Sequence, residues 1–242
     1  MNADGERRRA VVVVSANAEW EIVRDSLPER YVGGREMRTP YGQAFDGRVS
    51  FDRGLAPIVF LHGGWGKIDA AASAQYAIDR WRPDVLMNLG TCGGFAGEID
   101  RGTIVMATKT LVYDIVEQMS DPEAAFAHYT TTMDLSWLKG PPPIPVQRGL
   151  LLSGDRDLVA EEISELRQRF GGTAGDWESG AIAHVASRNR TRCLILRGVT
   201  DLVGPDGGEA YDGTLAFFRE SARRVMTRLL DSLPGWLDIV LS

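Results

Sequence analysis

The residues able to do chemistry in this chain gather just after its apolar runs. Ser15-Ala16-Asn17-Ala18-Glu19 follows the first run, Gly63-Gly64-Trp65-Gly66-Lys67 the second and Gly90-Thr91-Cys92-Gly93-Gly94 the third. Further on come Ser153-Gly154-Asp155, Asp176-Trp177-Glu178 and Arg197-Gly198-Val199-Thr200-Asp201. The carboxylates Glu19, Glu178 and Asp201 can give, take or orient protons. Glycine-rich loops let backbone N–H groups approach a ligand closely. Each feature alone has an ordinary reading. A Gly-x-Gly loop is often only a tight turn. Glu19 by itself would be a first-turn residue favoured by the helix dipole. Asp201 would cap a turn ahead of Gly204-Pro205, and Lys67 would be a surface cation. His184, on an Ala-rich segment, reads as core or rim, and the charged run over 161–169 as a solvated helix face. The signal is that so many of these groups share one kind of position.

That position is fixed by the elements around it. Ala10–Val14, Ile58–Leu61, Val85–Leu89, Thr103–Ala107, Gly149–Leu152 and Cys193–Leu196 are short continuous apolar runs, the pattern of strands buried on both faces. Helical periodicity marks 19–27, with Asn17 as N-cap, then 67–81, 157–169, 178–188 and 214–233. Strand–helix alternation predicts an α/β fold: a three-layer sandwich with a central mixed, largely parallel sheet. In such sheets ligands gather at the carboxyl ends of the strands, which is where the motifs fall. Residues 114–148 show no clear period and end in the stiff run Gly140–Pro145. The expected organisation is a flexible tail over 1–9 and one domain over 10–242.

Composition narrows the function classes. The chain has 242 residues, 44% of them apolar and 25% charged, enough for a full core. A net charge of −6 without a basic stripe argues against nucleic acid as partner. Cys92 and Cys193 stand outside any CxxC or Cys/His pattern and read as reduced thiols of a cytoplasmic protein. His62, His128 and His184 are scattered, so neither a metal site nor a cofactor is expected. No apolar stretch is long enough for a membrane span, and no membrane association is expected.

Read in order, Ala-Glu after the first strand, Gly-x-Gly-Lys-Ile, Asn-x-Gly-Thr-x-Gly-Gly, Ser-Gly-Asp, Glu-x-Gly-Ala-Ile-Ala-His-Val and Arg-Gly-Val-Thr-Asp resemble the nucleoside phosphorylase/nucleosidase superfamily. Within it the chain is most similar to the 5'-methylthioadenosine/S-adenosylhomocysteine nucleosidases, over roughly 10–233. The resemblance implies hydrolysis of the N-glycosidic bond of a purine nucleoside through an oxocarbenium-like transition state. It implies that Asp201 protonates or hydrogen-bonds purine N7, that Glu178 binds the ribose hydroxyls and that Glu19 orients and activates water. Glu21 competes for that last role, although two residues along a helix point it elsewhere. Thr91, Gly93, Ser153, Trp177, Thr200 and Tyr211 are the implied substrate-binding residues. A homodimer is expected, with the stretch near Tyr113 and residues 119–129 at the interface. The apolar tail Trp236–Leu241 is expected to pack on the body or on a partner.

The sequence departs from the family pattern at Trp177, where Met is common, at Cys92 and Asp69, and at Asp157, where an aromatic residue near the base is usual. The nearest rival is a purine nucleoside phosphorylase. Water is favoured over phosphate as acceptor because Met87-Asn88-Leu89-Gly90 carries no cation, although Arg48 or Arg53 could be recruited from a neighbouring subunit. A non-catalytic nucleoside-binding module would not need Glu19, Glu178 and Asp201 together. A dinucleotide-binding protein fails because no GxGxxG follows the first strand.

Overall fold

The computed structural model describes residues 9–204, 207–209 and 215–242. The chain begins with β1 (Ala10–Val14), α1 (Asn17–Arg30), β2 (Tyr31–Arg38), β3 (Gln43–Phe51) and β4 (Gly54–His62). Then follow α2 (Gly66–Trp81), β5 (Val85–Phe95), β6 (Ile104–Val112), α3 (Pro122–His128), β7 (Thr130–Thr132) and β8 (Gln147–Ser153). Last come α4 (Ala160–Phe170), β9 (Ala174–Asp176), α5 (Ser179–Arg188), β10 (Arg192–Gly204), β11 (Gly207–Gly208) and α6 (Leu215–Val240).

All of these strands belong to one mixed sheet. At its centre β4, β1, β5 and β10 run parallel, and β6, β8 and β9 form a second parallel run. β6 pairs antiparallel with β10, and β9 antiparallel with β5. The strands β5, β10, β6, β8 and β9 therefore close on one another in a ring. Alternation along β1 sends Val12 and Val14 to one face and Val11 and Val13 to the other. The first face packs on α1 and α6 through Trp20, Val23, Leu229 and Trp236. The second packs on α2 and α5 through Ala70, Ala74, Ala77, Ile182 and Ala186. Small residues there let the two helices lie close to the sheet and to each other. The result is the expected three-layer α/β sandwich.

Several boundaries differ from the periodicity. β2 and β3 form an antiparallel hairpin at the sheet edge that the apolar-run criterion misses, because Val32–Met37 is largely exposed. The unpatterned stretch over 114–148 holds α3, begun by Pro122 and capped by Asp121, whose side chain accepts the Glu123 N–H at 3.0 Å. Asn17 lies inside α1 rather than capping it: the first helical bond runs from Trp20 N–H to Ala16 C=O. α6 continues past Pro234 to Val240, so the apolar tail is part of it and packs on the body. Trp236 and Leu237 are buried in the core. Arg9, assigned to the tail, is anchored: its guanidinium meets Asp84 at 3.1 Å and donates to Leu241 C=O at 2.9 Å. Residues 1–8 lie outside the described residues.

Candidate functional site

The site is built on a buried guanidinium. Arg197, 1% exposed, sits in β10 where the apolar run Cys193–Leu196 ends. β10 pairs in parallel with β5, and Arg197 stands opposite Gly90. A Cβ at Gly90 would come within 2.1 Å of Arg197 Nη1, so only glycine admits the side chain. Arg197 Nε lies 2.9 Å from Asp176 Oδ2 and donates to Ser179 Oγ at 2.9 Å. Nη2 donates to Asn88 Oδ1 at 2.9 Å and to Glu178 Oε2 at 3.3 Å, and Nη1 reaches Thr91 C=O at 3.3 Å and Glu19 Oε1 at 3.7 Å. Three carboxylates thus share one guanidinium, an arrangement that fixes their orientation and leaves excess negative charge in the interior.

Each carboxylate has its own further restraints. Glu19, in the first turn of α1, accepts the Thr91 N–H at 2.6 Å and the Thr91 hydroxyl at 2.7 Å. Glu178, just ahead of α5, accepts the Gly66 N–H at 3.2 Å, which ties it to the start of α2. Asp201 stands at a register shift in β10, and its Oδ1 accepts the Thr200 hydroxyl at 2.6 Å. Burial pushes the Glu19 carboxyl above its ordinary value against the pull of Arg197 and Thr91. Burial also raises Glu178, opposed by Arg197 and reinforced by Asp176 and Glu19. Asp201 is raised by burial as well, opposed by the Thr200 hydrogen bond and helped by the charges of Glu209 and Asp157.

These groups open on a cavity of about 250 Å³. Glu19, Thr91, Gly93, Trp177, Glu178, Thr200 and Asp201 all line it, as do Cys92, Asp157 and Phe218. Trp177 stacks on Trp65, ring centroids 4.8 Å apart, and both indoles border the cavity. One expected member is placed differently. Ser153 is fully buried and does not line the cavity; its hydroxyl donates to Asp176 Oδ1 at 2.6 Å and accepts the Gly180 N–H at 2.8 Å. It supports the carboxylate layer from behind because β8 delivers it under the start of α5. Tyr211 lies outside the described residues. Glu21 is exposed on α1, away from the cavity. His184 is half-buried beside His128 and Tyr129, which fits its reading as core or rim.

Sequence reasoning did not single out Arg197, Asp176, Asn88 or Ser179 as site residues. The available signal was an arginine ending a buried strand run, where an unpaired charge would be prohibitive. Lys67, the motif cation, is engaged elsewhere: its ammonium pairs with Asp114 and lies 3.8 Å from Asp155.

A family model described as the Phosphorylase superfamily matches residues 9–233. The chain is 28% identical over 200 residues to a 5'-methylthioadenosine/S-adenosylhomocysteine nucleosidase of Maridesulfovibrio salexigens, covering 77% of this chain and 85% of that one. It is also 28% identical over 170 residues to the nucleosidase of the same name from Bacillus subtilis, covering 64% and 72%. Among solved structures, the Neisseria meningitidis nucleosidase bound to methylthio-immucillin-A superposes with a TM-score of 0.74 at 20% identity, covering 95% of this chain and 98% of that one.

Proposed function

Because this chain belongs to the phosphorylase superfamily, we propose that it hydrolyses the N-glycosidic bond of a purine nucleoside of the 5'-methylthioadenosine or S-adenosylhomocysteine kind. The observation that carries the reading is the placement of Glu19, Glu178 and Asp201 on one cavity, each buried and each in a different hydrogen-bonded setting. Bond cleavage leaves its electron pair on the purine, and Asp201 supplies the proton that N7 needs to make the base a neutral leaving group. Burial raises its carboxyl, the direction a proton donor needs. Glu178 holds the ribose hydroxyls and faces the positive charge that grows on the sugar. Glu19 orients a water toward the anomeric carbon and takes its proton as the new C–O bond forms. Free purine and free pentose result. Thr91, Gly93, Trp177 and Thr200 form the walls, and Ser153 acts through Asp176.

Water as acceptor is supported by the state of the nearby cations. Arg197 is already surrounded by carboxylates, and Arg156, at the cavity edge, meets Glu162 at 2.6 Å. Lys67 is held by Asp114 and Asp155. A buried phosphate dianion would meet no uncommitted positive partner among the described lining residues. Incubation with a nucleoside panel in phosphate-free buffer, with chromatography of base and sugar, tests the reading. Free pentose is expected; turnover that needs phosphate and yields ribose 1-phosphate would refute it.

The proposal extends to the assembly and its setting. Ile68, Val116 and Met119 are 82%, 62% and 98% exposed, and Lys67–Asp114 pairing brings their segments together. Apolar exposure of this kind supports a homodimer that uses this face. Two buried, unpaired cysteines fit work in the cytoplasm, and no described helix is long and apolar enough to cross a membrane. One domain over 10–242 completes the reading.

A further inference from the structure

The turn between β4 and α2 is made of residues that cannot fix it by themselves. Gly64 and Gly66 both take positive φ, 82° and 84°, a conformation open to glycine at little cost. Trp65 between them stacks on Trp177 yet stays 65% exposed, and Ile68 is 82% exposed, so little apolar burial holds the segment. Trp65 stands at the N-cap of α2, and its side chain makes no capping hydrogen bond. Free N–H groups of the first turn are taken instead by two carboxylates from elsewhere in the chain. Gly66 N–H donates to Glu178 Oε1 at 3.2 Å and Lys67 N–H to Asp155 Oδ1 at 2.7 Å.

A closed polar cycle supplies the missing hold. The Lys67 ammonium pairs with Asp114 Oδ1, and Asp114 Oδ2 accepts the Asp155 N–H at 2.8 Å. Asp155 returns to Lys67 by accepting its backbone N–H, with Oδ2 3.8 Å from Nζ. Three strand ends are joined in this way: α2 after β4, Asp114 after β6 and Asp155 after β8. The Lys67 and Asp114 side chains are 17% and 15% exposed, so the pair is screened less than one at the surface. The fit is close, since a Cβ at Gly66 would lie 3.1 Å from Asp155 Oδ1.

Glu178 depends on that cycle for the aim of one oxygen. Arg197 Nη2 donates to Oε2, and the Gly66 N–H fixes Oε1. We infer that Lys67 is a positioning residue of the site: through Asp114 and Asp155 it locks the first turn of α2, and the Gly66 N–H of that turn aims Glu178 at the ribose hydroxyls. This rests on the placement of those hydroxyls at Glu178. Lys67 and Asp114 reach the cavity only through these neighbours. Lys67 therefore acts as a strut and takes no part in bond cleavage. Displacing a positioned group by about 1 Å from a distance is enough to impair it strongly. A loosened turn costs recognition at the sugar and leaves the base end around Asp201 in place.

The test compares two ligands that differ by one hydroxyl and cannot be cleaved. Formycin, an adenosine analogue whose sugar and base are joined by a carbon–carbon bond, and 2'-deoxyformycin are titrated calorimetrically into the intact protein. Wild type, Lys67→Met and Asp114→Asn are measured, with melting temperature as the check on folding. Asp114→Asn breaks the same ion pair from its other end and keeps an acceptor for the Asp155 N–H, so it serves where Lys67→Met fails to fold. The wild type is expected to favour formycin by about ten- to a hundredfold, the range for a hydrogen bond to a charged group. Each variant is expected to shrink that preference by about two- to tenfold, the worth of one ordinary hydrogen bond, with the affinity for 2'-deoxyformycin nearly unchanged. Equal weakening of both ligands would mean general loosening and would overturn the role of Lys67, as would a wild-type preference kept in both variants. A wild type indifferent to the 2'-hydroxyl would remove the ribose role of Glu178 and the inference with it. The expected preferences in a protein that hydrolyses no nucleoside would sink the hydrolase reading and leave the strut standing.

Discussion

Arg197 and Glu178 meet at 3.3 Å in the interior, with side chains only 1% and 5% exposed. The pair belongs to a network in which Glu19 and Asp176 also lean on the same guanidinium. Removing the cation while leaving three acids is the most damaging single change the network offers. Arg197→Met is expected to lower the unfolding free energy by about 3–5 kcal/mol, the range for breaking a buried pair. Urea denaturation followed by circular dichroism measures it. A loss below about 1 kcal/mol would mean that the carboxylates find other partners.

Asp201→Asn is expected to keep the fold and lose turnover by about a hundred- to ten-thousandfold, because an amide can hydrogen-bond N7 but cannot hand over a proton. Nucleosides whose leaving group departs without protonation should lose far less. Comparison of kcat for the two substrate types, with melting temperature as control, reads this directly. Near-normal kcat on an ordinary purine nucleoside would assign Asp201 the wrong task.

Glu178 carries a pH signature in stability. Its carboxyl is raised in the folded protein above the ordinary 4.5. The native state therefore keeps a proton that the unfolded chain releases. The associated stability is fully present below about pH 4.5 and is lost as pH rises through the raised folded value. Melting temperature should fall across that window, and Glu178→Gln, which cannot ionise, should flatten the fall. An identical pH profile in wild type and variant would count against this titration.

The apolar face at the start of α2 gives a prediction about mass. The chain weighs 26.5 kDa, and the expected particle in solution has twice that mass. Ile68→Asp and Met119→Asp place charges at 82% and 98% exposed positions. Neither should harm an isolated chain, and both should split a dimer that buries this face. Sedimentation equilibrium at micromolar protein distinguishes the cases; a monomeric wild type would end the proposal.

Much of this architecture was legible because buried parallel strands announce themselves. Val11–Val14 and Leu194–Leu196 are continuous apolar runs, and the motif residues fall at the strand ends where ligands gather. Glu19, Glu178 and Asp201 all follow such runs in the sequence, which is why the pattern alone gathers them on one edge of the sheet. The edge hairpin was not legible, since Gly33-Gly34-Arg35-Glu36 has neither apolar run nor alternation to mark it. The central role of Arg197 was hidden for a different reason. Its partners come from three separate stretches of sequence, at Glu19, at Asn88 and at Asp176 to Ser179, and only the β5–β10 pairing and the Gly90 gap bring the guanidinium among them. Ser153 looked like a pocket residue from its motif, and only the packing of α5 over β8 shows that it faces Asp176 instead.

The closed circuit of β5, β10, β6, β8 and β9 has a consequence for the order in which the protein opens. Leu196–Gly198 are paired on both sides, with β5 and with β6, and Leu86–Asn88 on both sides, with β1 and with β10, so the amides of these central residues exchange with solvent hydrogen only when the middle of the sheet parts. The β2–β3 hairpin lies beyond β4 at the outer margin of the sheet and can peel away alone. Asp176, Arg197 and Asp201 are carried by the ring itself, and Thr91 brings Glu19 to it. A molecule that has shed its outer hairpin thus still holds its acids in register, and the last cooperative unit to melt is the one that carries the pocket.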